Sequence, residues 1–190
     1  MKTSTYKELG VRGVWEHANK TVKVLTEECT SLLDIGCGRA PHTKDFLGPK
    51  LHVDLDDWST ECFPFLQIDA RKIYEVLPYK SYSATICMDF IEHLNKEDGL
   101  TLIKDLEIIT KHVIAYFTPL GPLWLGDDPT HTGHHSAWYP KDFLDLGYNV
   151  WSWPSCHEFE DGSKCGAFWA YKCFGKELYP EELEALVLHE

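Results

Sequence analysis

The chain lacks any run of about 18 apolar residues, the length a helix needs to cross a bilayer. Its first residues, MKTSTYKELGVRGVWEH, lack the apolar core of a secretory signal. Both absences point to a cytoplasmic protein that meets no membrane. There is no run of Lys or Arg, and the net charge is −12. Binding to a nucleic-acid polymer draws on basic residues that displace counterions. The charge therefore disfavours a nucleic-acid partner and suits a small neutral or cationic ligand. No Cys-x-x-Cys pair occurs, and the seven cysteines form an odd set in a chain too long for a disulfide scaffold. They read as buried free thiols in a reducing compartment. No internal repeat or low-complexity tract interrupts the 190 residues, a length that suits one domain with its own core.

What is present is an alternation of apolar runs and amphipathic stretches. Residues 13–29 space Val14, Ala18, Val22 and Val24–Leu25 along one helical face. An apolar run at 31–35 leads into a glycine turn and a short helix predicted at 41–47. Strands are predicted at 50–57, 63–71, 82–90 and 112–119. A helix at 95–111 aligns Leu100, Ile103, Leu106 and Ile109. A short helix at 139–147 has Pro140 in its first turn and Gly147 past its end. Residues 148–153 and 166–174 read as two last strands paired antiparallel, and 180–190 as a terminal helix. The alternation implies an α/β domain whose mostly parallel sheet is covered by helices on both faces. Within this single domain, residues 1–30 form an N-terminal helical lid or cap, with Tyr6, Arg12, Trp15 and His17 as lid side chains, the alternative being an amphipathic helix that packs on the sheet edge. Residues 31–175 form the core and 176–190 a tail helix.

Ligands of such sheets sit beyond the carboxyl ends of the strands. Asp34, Asp54, Asp69 and Asp89 each fall at or just after a predicted strand end. The first lies in SLLDIGCGRAP, whose Gly36 and Gly38 suit a sharp turn or a close ligand. A dinucleotide turn would place a third glycine at Pro41, which has no N–H for a pyrophosphate. An acid two residues before the first glycine would also repel a diphosphate. The pattern suits a phosphate-free ligand with a positive centre. Asp54 is placed to accept both hydroxyls of a ribose, and Asp69–Ala70 to take an exocyclic amino group.

The segments LLDIGCGRAP, VDLDD, IDARKI, ATICMDFIEHL, VIAYFTP and HHSAWYPKDFLDLGYNV occur in the order found in class I S-adenosylmethionine-dependent methyltransferases. Over residues 31–153 the chain resembles that family, and within it the small bacterial type-11-like members. The resemblance implies a Rossmann-like, doubly wound, seven-stranded sheet with an antiparallel last strand, and S-adenosyl-L-methionine as cofactor. It implies that Asp34, Gly36 and Gly38 line the methionine end of the cofactor and that Asp54 holds the ribose, with Leu55 beside the adenine. Asp69 and Ala70 would meet the adenine edge, and Met88 and Asp89 would lie near the methionine amine and the transferring methyl. Ala40 stands at the motif's third glycine.

The implied reaction moves a methyl group in line from the sulfonium to a small-molecule or sugar acceptor. The alternatives are a cofactor-binding partner subunit without turnover and a protein methyltransferase. A hydroxyl or ammonium acceptor must lose a proton, which favours a histidine base. His134, in the family's His-x-Ser-x-Trp pattern with Ser136 and Trp138, is the first candidate, and His93 the second. The structural alternative is that Glu92 and His93 pin helix to strand and that His134 braces its loop. His131, His134 and His135 are too crowded for a metal site, so none is expected. No Asn-Pro-Pro-Tyr tetrad follows strand four, which weakens methylation of a base amino group.

Overall fold

A computed structural model describes residues 6–8, 14–40, 42–158 and 162–175, without the side chains of 6–8, 14–17 and 156–158. Pro41, Arg12, the tail helix expected at 180–190 and the side chains of Tyr6, Trp15 and His17 lie outside the described residues. The elements are β1 (Tyr6–Glu8), α1 (Val14–Thr26), β2 (Leu32–Ile35), β3 (Lys50–Asp54), β4 (Phe65–Gln67), α2 (Ile73–Val76), β5 (Tyr82–Met88), α3 (Lys96–Ile109), β6 (Thr110–Leu120), α4 (Pro140–Leu144), β7 (Asn149–Glu158) and β8 (Lys164–Cys173). The sheet order is β1-β7-β8-β6-β5-β2-β3-β4. The pairs β2–β3, β2–β5 and β3–β4 are parallel, and the last strand, β8, runs antiparallel to β7. The doubly wound α/β reading holds, with one strand more than expected at the edge, where β1 pairs in parallel with β7.

The chain divides into two compact units. Of the described residues, one comprises 15–40, 42–87, 101–114 and 173–175. Its strand β2 is buried along its whole length, as a strand flanked on both edges and both faces must be. From α1, Ala18, Val22 and Leu25 are buried, and from α3, Leu102, Ile103, Leu106 and Ile109. Ala18, Val22, Leu25, Ile103, Leu106 and Ile109 are on the faces read from the sequence, whereas Val24 and Leu100 are only half-buried and Leu102 was not foreseen. The buried hydroxyls of Thr85 and Thr110 satisfy each other at 2.6 Å.

The other unit comprises, of the described residues, 6–8, 14, 88–100, 115–158 and 162–172. It is filled with rings. Phe143 packs against Tyr116, Trp138, Tyr148 and Phe168 at centroid distances of 5.2–5.7 Å. Such tilted and edge-on pairs add about 0.5–1.5 kcal/mol each beyond their area.

Three sequence expectations are corrected. Residues 42–45 form turns rather than the helix predicted at 41–47. A seven-residue stretch barely exceeds the helix nucleus, and the Thr43 hydroxyl is bonded to Asp34. The strand predicted at 63–71 shrinks to β4, because Asp69 caps a 3₁₀ turn over Ala70–Lys72 by accepting from Arg71 N. The strand predicted at 82–90 ends at Met88, since Asp89 takes a left-handed φ of 45°.

Candidate functional site

The first group of candidate residues lies in the unit built on β2, β3 and β4. The chain leaves β2 through Gly36 and Gly38, with φ of 66° and 47°, where only glycine avoids a steric cost. The turn is pinned to β3: Gly36 N and Cys37 N both donate to Val53 O, at 2.8 and 3.1 Å. A Cβ added at Gly38 would meet nothing within 4 Å. Space above this backbone is therefore open to a ligand. Ala40 repeats the left-handed conformation at φ 48°, where a family glycine would carry less strain.

Asp54 ends β3 and faces this turn. Its Oδ2 accepts from Gly38 N at 2.9 Å and its Oδ1 from Asp56 N at 3.0 Å. A carboxylate offers about four acceptor positions, so each oxygen keeps capacity for a further donor. Leu55 beside it is 44% exposed, an apolar surface next to the acid. Gln67 donates to Leu55 O at 3.0 Å, and Ile68 N to Asp54 O at 2.9 Å, which ties the end of β4 to the end of β3. Asp69 follows. Arg71 engages both its oxygens at 2.6–3.0 Å, and these bonds hold the carboxyl below the usual range. Ala70 next to it is buried.

Asp34 differs from the other three acids in being buried. Its Oδ2 accepts from the Thr43 hydroxyl at 2.5 Å and from His52 Nδ1 at 3.1 Å. Asp34 and His52 are register partners across β2 and β3, so their side chains share a sheet face. Neither Thr43 nor His52 was singled out from sequence. The signal was there: a polar residue in a buried strand register requires a polar neighbour.

The second group lies in the other unit. Met88 is buried at the end of β5. Asp89 follows in its left-handed conformation, its N donating to Phe117 O at 2.8 Å. Such backbone costs on the order of 1 kcal/mol or more and recurs at functional sites. Glu92, in a 3₁₀ turn, is 3% exposed. Thr118 donates to its Oε2 at 2.9 Å. Burial pushes the carboxyls of both Asp89 and Glu92 up, and the charge of Asp89 raises Glu92 further.

His93 and His134 meet edge to face at 4.9 Å. Each ring has its Nδ1 bonded to a backbone carbonyl, His93 to Gly133 O at 3.0 Å and His134 to Leu123 O at 2.7 Å. Each of these bonds needs an N–H on Nδ1. Burial lowers the His93 pKa. The loop itself is fixed by Glu92 O, which accepts from His135 N and Ser136 N at 2.8 and 3.0 Å. Trp138 Nε1 donates to Ser136 Oγ at 2.8 Å. One donor atom each of Glu92, His93 and His134 lies within 4.8 Å of the others, a grouping able to hold a metal ion. It is not the His131–His134–His135 trio weighed from sequence. Pairing of His93 with His134 across α3, β6 and the loop after it was not readable from spacing.

No protein-family model matches the chain, and no curated protein is similar to it in sequence. Solved structures do match in fold. A SAM-dependent methyltransferase from Archaeoglobus fulgidus superposes with a TM-score of 0.58 at 21% identity, over 81% of this chain and 94% of that one. The fold is that of the class I methyltransferases. The 1,6-didemethyltoxoflavin-N1-methyltransferase of Burkholderia thailandensis, solved with its substrate and S-adenosylhomocysteine, matches with a TM-score of 0.57 at 15% identity, over 85% of this chain and 81% of that one. The small RNA methyltransferase HEN1 matches with a TM-score of 0.53 at 15% identity, over 85% of this chain and 27% of that one. In this fold the glycine turn follows β2 and Asp54 ends the neighbouring strand β3.

Proposed function

We propose that the chain transfers a methyl group from S-adenosyl-L-methionine to a small-molecule or sugar acceptor. The observation that carries this reading is the bond between Gly38 N and Asp54 Oδ2 beneath an open, left-handed glycine turn. It fits a nucleoside without phosphates: the turn lets backbone approach the ligand, and Asp54 keeps acceptor capacity for two ribose hydroxyls. Leu55 supplies apolar surface for the adenine, and Asp69 and Ala70 border it. Asp34 acts from beneath, holding the turn's flank through Thr43 and His52.

The cofactor supplies an electrophilic methyl on a cationic sulfur, and the protein aligns the acceptor and takes its proton. Alignment can provide ~7–11 kcal/mol of the barrier. His134, with Nδ1–H anchored on Leu123 O, is the base that takes that proton, and His93, packed edge to face against it at 4.9 Å, is the second candidate. Replacing His134 with Ala should abolish turnover and leave cofactor affinity unchanged. A large loss of affinity would contradict the role of base.

A second reading is favoured by the grouping of Glu92, His93 and His134. A divalent ion held there would acidify an acceptor hydroxyl in place of a free imidazole. Loss of turnover in EDTA, restored by added divalent metal, separates the two readings. The B. thailandensis neighbour acts on a small molecule and HEN1 on RNA, so the acceptor screen should include small hydroxyl and amine compounds, sugars, a protein extract and short RNAs. The net charge of −12 favours the first of these. Cofactor binding with no turnover on any acceptor would point instead to a partner subunit.

A further inference from the structure

Outside the acceptor-side residues, a second set of donors converges. Cys37 Sγ, a ring nitrogen of His52 and Cys62 Sγ lie within 4.8 Å of one another. All three residues are buried, at 6, 3 and 2% exposure. They come from three separate segments, the turn after β2, the middle of β3 and the loop beyond β3. Both sulfurs point at one atom, Gly38 O, each at 3.4 Å. His52 donates through Nδ1 to Asp34 Oδ2 at 3.1 Å, and Asp34 is held in turn by Thr43. That bond places the ring proton on Nδ1 and leaves the lone pair on Nε2. A carboxylate that orients a histidine in this way is the usual outer support of a zinc ligand.

We infer that Cys37, His52 and Cys62 bind a zinc ion, with Asp34 and Thr43 orienting the histidine. Two thiolates and an imidazole select a soft or borderline cation and disfavour magnesium or calcium. On binding, each thiol loses its proton to solvent as a sulfur–zinc bond forms, and neutral His52 adds a nitrogen–zinc bond. The fourth position is left to a water or other small ligand. Because Cys37 stands between Gly36 and Gly38, the ion would staple the glycine turn to β3 and to the loop carrying Cys62. The site stands without the methyl-transfer reading, and only its effect on cofactor affinity rests on that reading.

The test uses the full chain, reduced and made metal-free, then titrated with Co²⁺ and with Zn²⁺. About one equivalent should bind, and Co²⁺ should give the intense near-ultraviolet band of thiolate-to-metal charge transfer. Zn²⁺ should displace it. Cys62→Ser and His52→Ala should lose the band, while His134→Ala and Glu92→Gln should keep it, which separates this site from the other donor grouping. Absence of the band in the reduced, folded wild-type chain overturns the inference even if the variants fail to fold. So does an unchanged band in Cys62→Ser. Loss of cofactor binding with the band intact would count against the methyl-transfer reading alone.

Discussion

Replacing Glu92 with Gln tests the electrostatics around the buried Asp89–Glu92 pair. Glu92 is 3% exposed, and its carboxyl is raised first by burial and then by Asp89. In the unfolded chain a glutamate releases its proton near pH ~4.3. Above that pH the unfolded chain is ionised while the folded chain still holds the proton. Each retained proton then lowers stability by ~1.4 kcal/mol per pH unit, until the pH passes the folded value. The full contribution is present at low pH and is lost as pH rises, the reverse of a salt-bridged acid. Over about two pH units above 5, the loss from Glu92 alone is ~2–3 kcal/mol. Gln keeps an oxygen for the Thr118 hydroxyl, which donates at 2.9 Å, but does not titrate. Urea unfolding followed by circular dichroism in EDTA at about pH 5, 6 and 7 should show the wild type losing stability relative to the variant by ~1.4 kcal/mol per pH unit. Asp89 titrates in both proteins, and its part is alike in the two curves over the range in which Glu92 still holds its proton and is uncharged like Gln. Parallel stability curves for the two proteins would refute the reasoning, because they would mean that Glu92 ionises alike in both states.

Other outcomes follow from single contacts. Asp54→Ala should weaken S-adenosylmethionine and S-adenosylhomocysteine together by ~1–3 kcal/mol, the worth of charged hydrogen bonds; calorimetry that finds equal affinity removes Asp54 from the ribose. Gly99→Ala should destabilise the fold although alanine favours helices by ~1 kcal/mol. The new Cβ would lie 2.6 Å from Trp138 Cζ2, and overpacking of this kind costs ~1–3 kcal/mol. A higher urea midpoint in that variant would contradict the packing.

The fold was legible because its longer elements carry clear periods: Ala18, Val22 and Leu25 on α1, and Ile103, Leu106 and Ile109 on α3, are the buried faces read from spacing. The short helix α4 was legible from Pro140 and Gly147, but two other short elements were not. Residues 41–47 and 68–71 hold helix-like and strand-like patterns, but capping by Asp69 and the Thr43–Asp34 bond decide them. At the site, the glycine turn and Asp54 could be read because both lie next to strand ends, within one βα unit of each other. Partnerships made across the fold could not. His52 beneath Asp34, Cys62 beside Cys37, and His134 against His93 are set by register and loop path, which local sequence does not encode. Glu92 was read as a structural pin; its backbone carbonyl does anchor the 135–136 segment, but its buried carboxyl beside Asp89 is visible only in three dimensions.

The central claim is that the turn at Gly36–Gly38 and the acid at Asp54 cradle a phosphate-free nucleoside. Isothermal titration of the wild-type chain with S-adenosylmethionine, S-adenosylhomocysteine and NAD tests it directly. The first two should bind with micromolar affinity, about −8 kcal/mol, and NAD should give no heat. Binding of NAD, or of none of the three, would contradict the account.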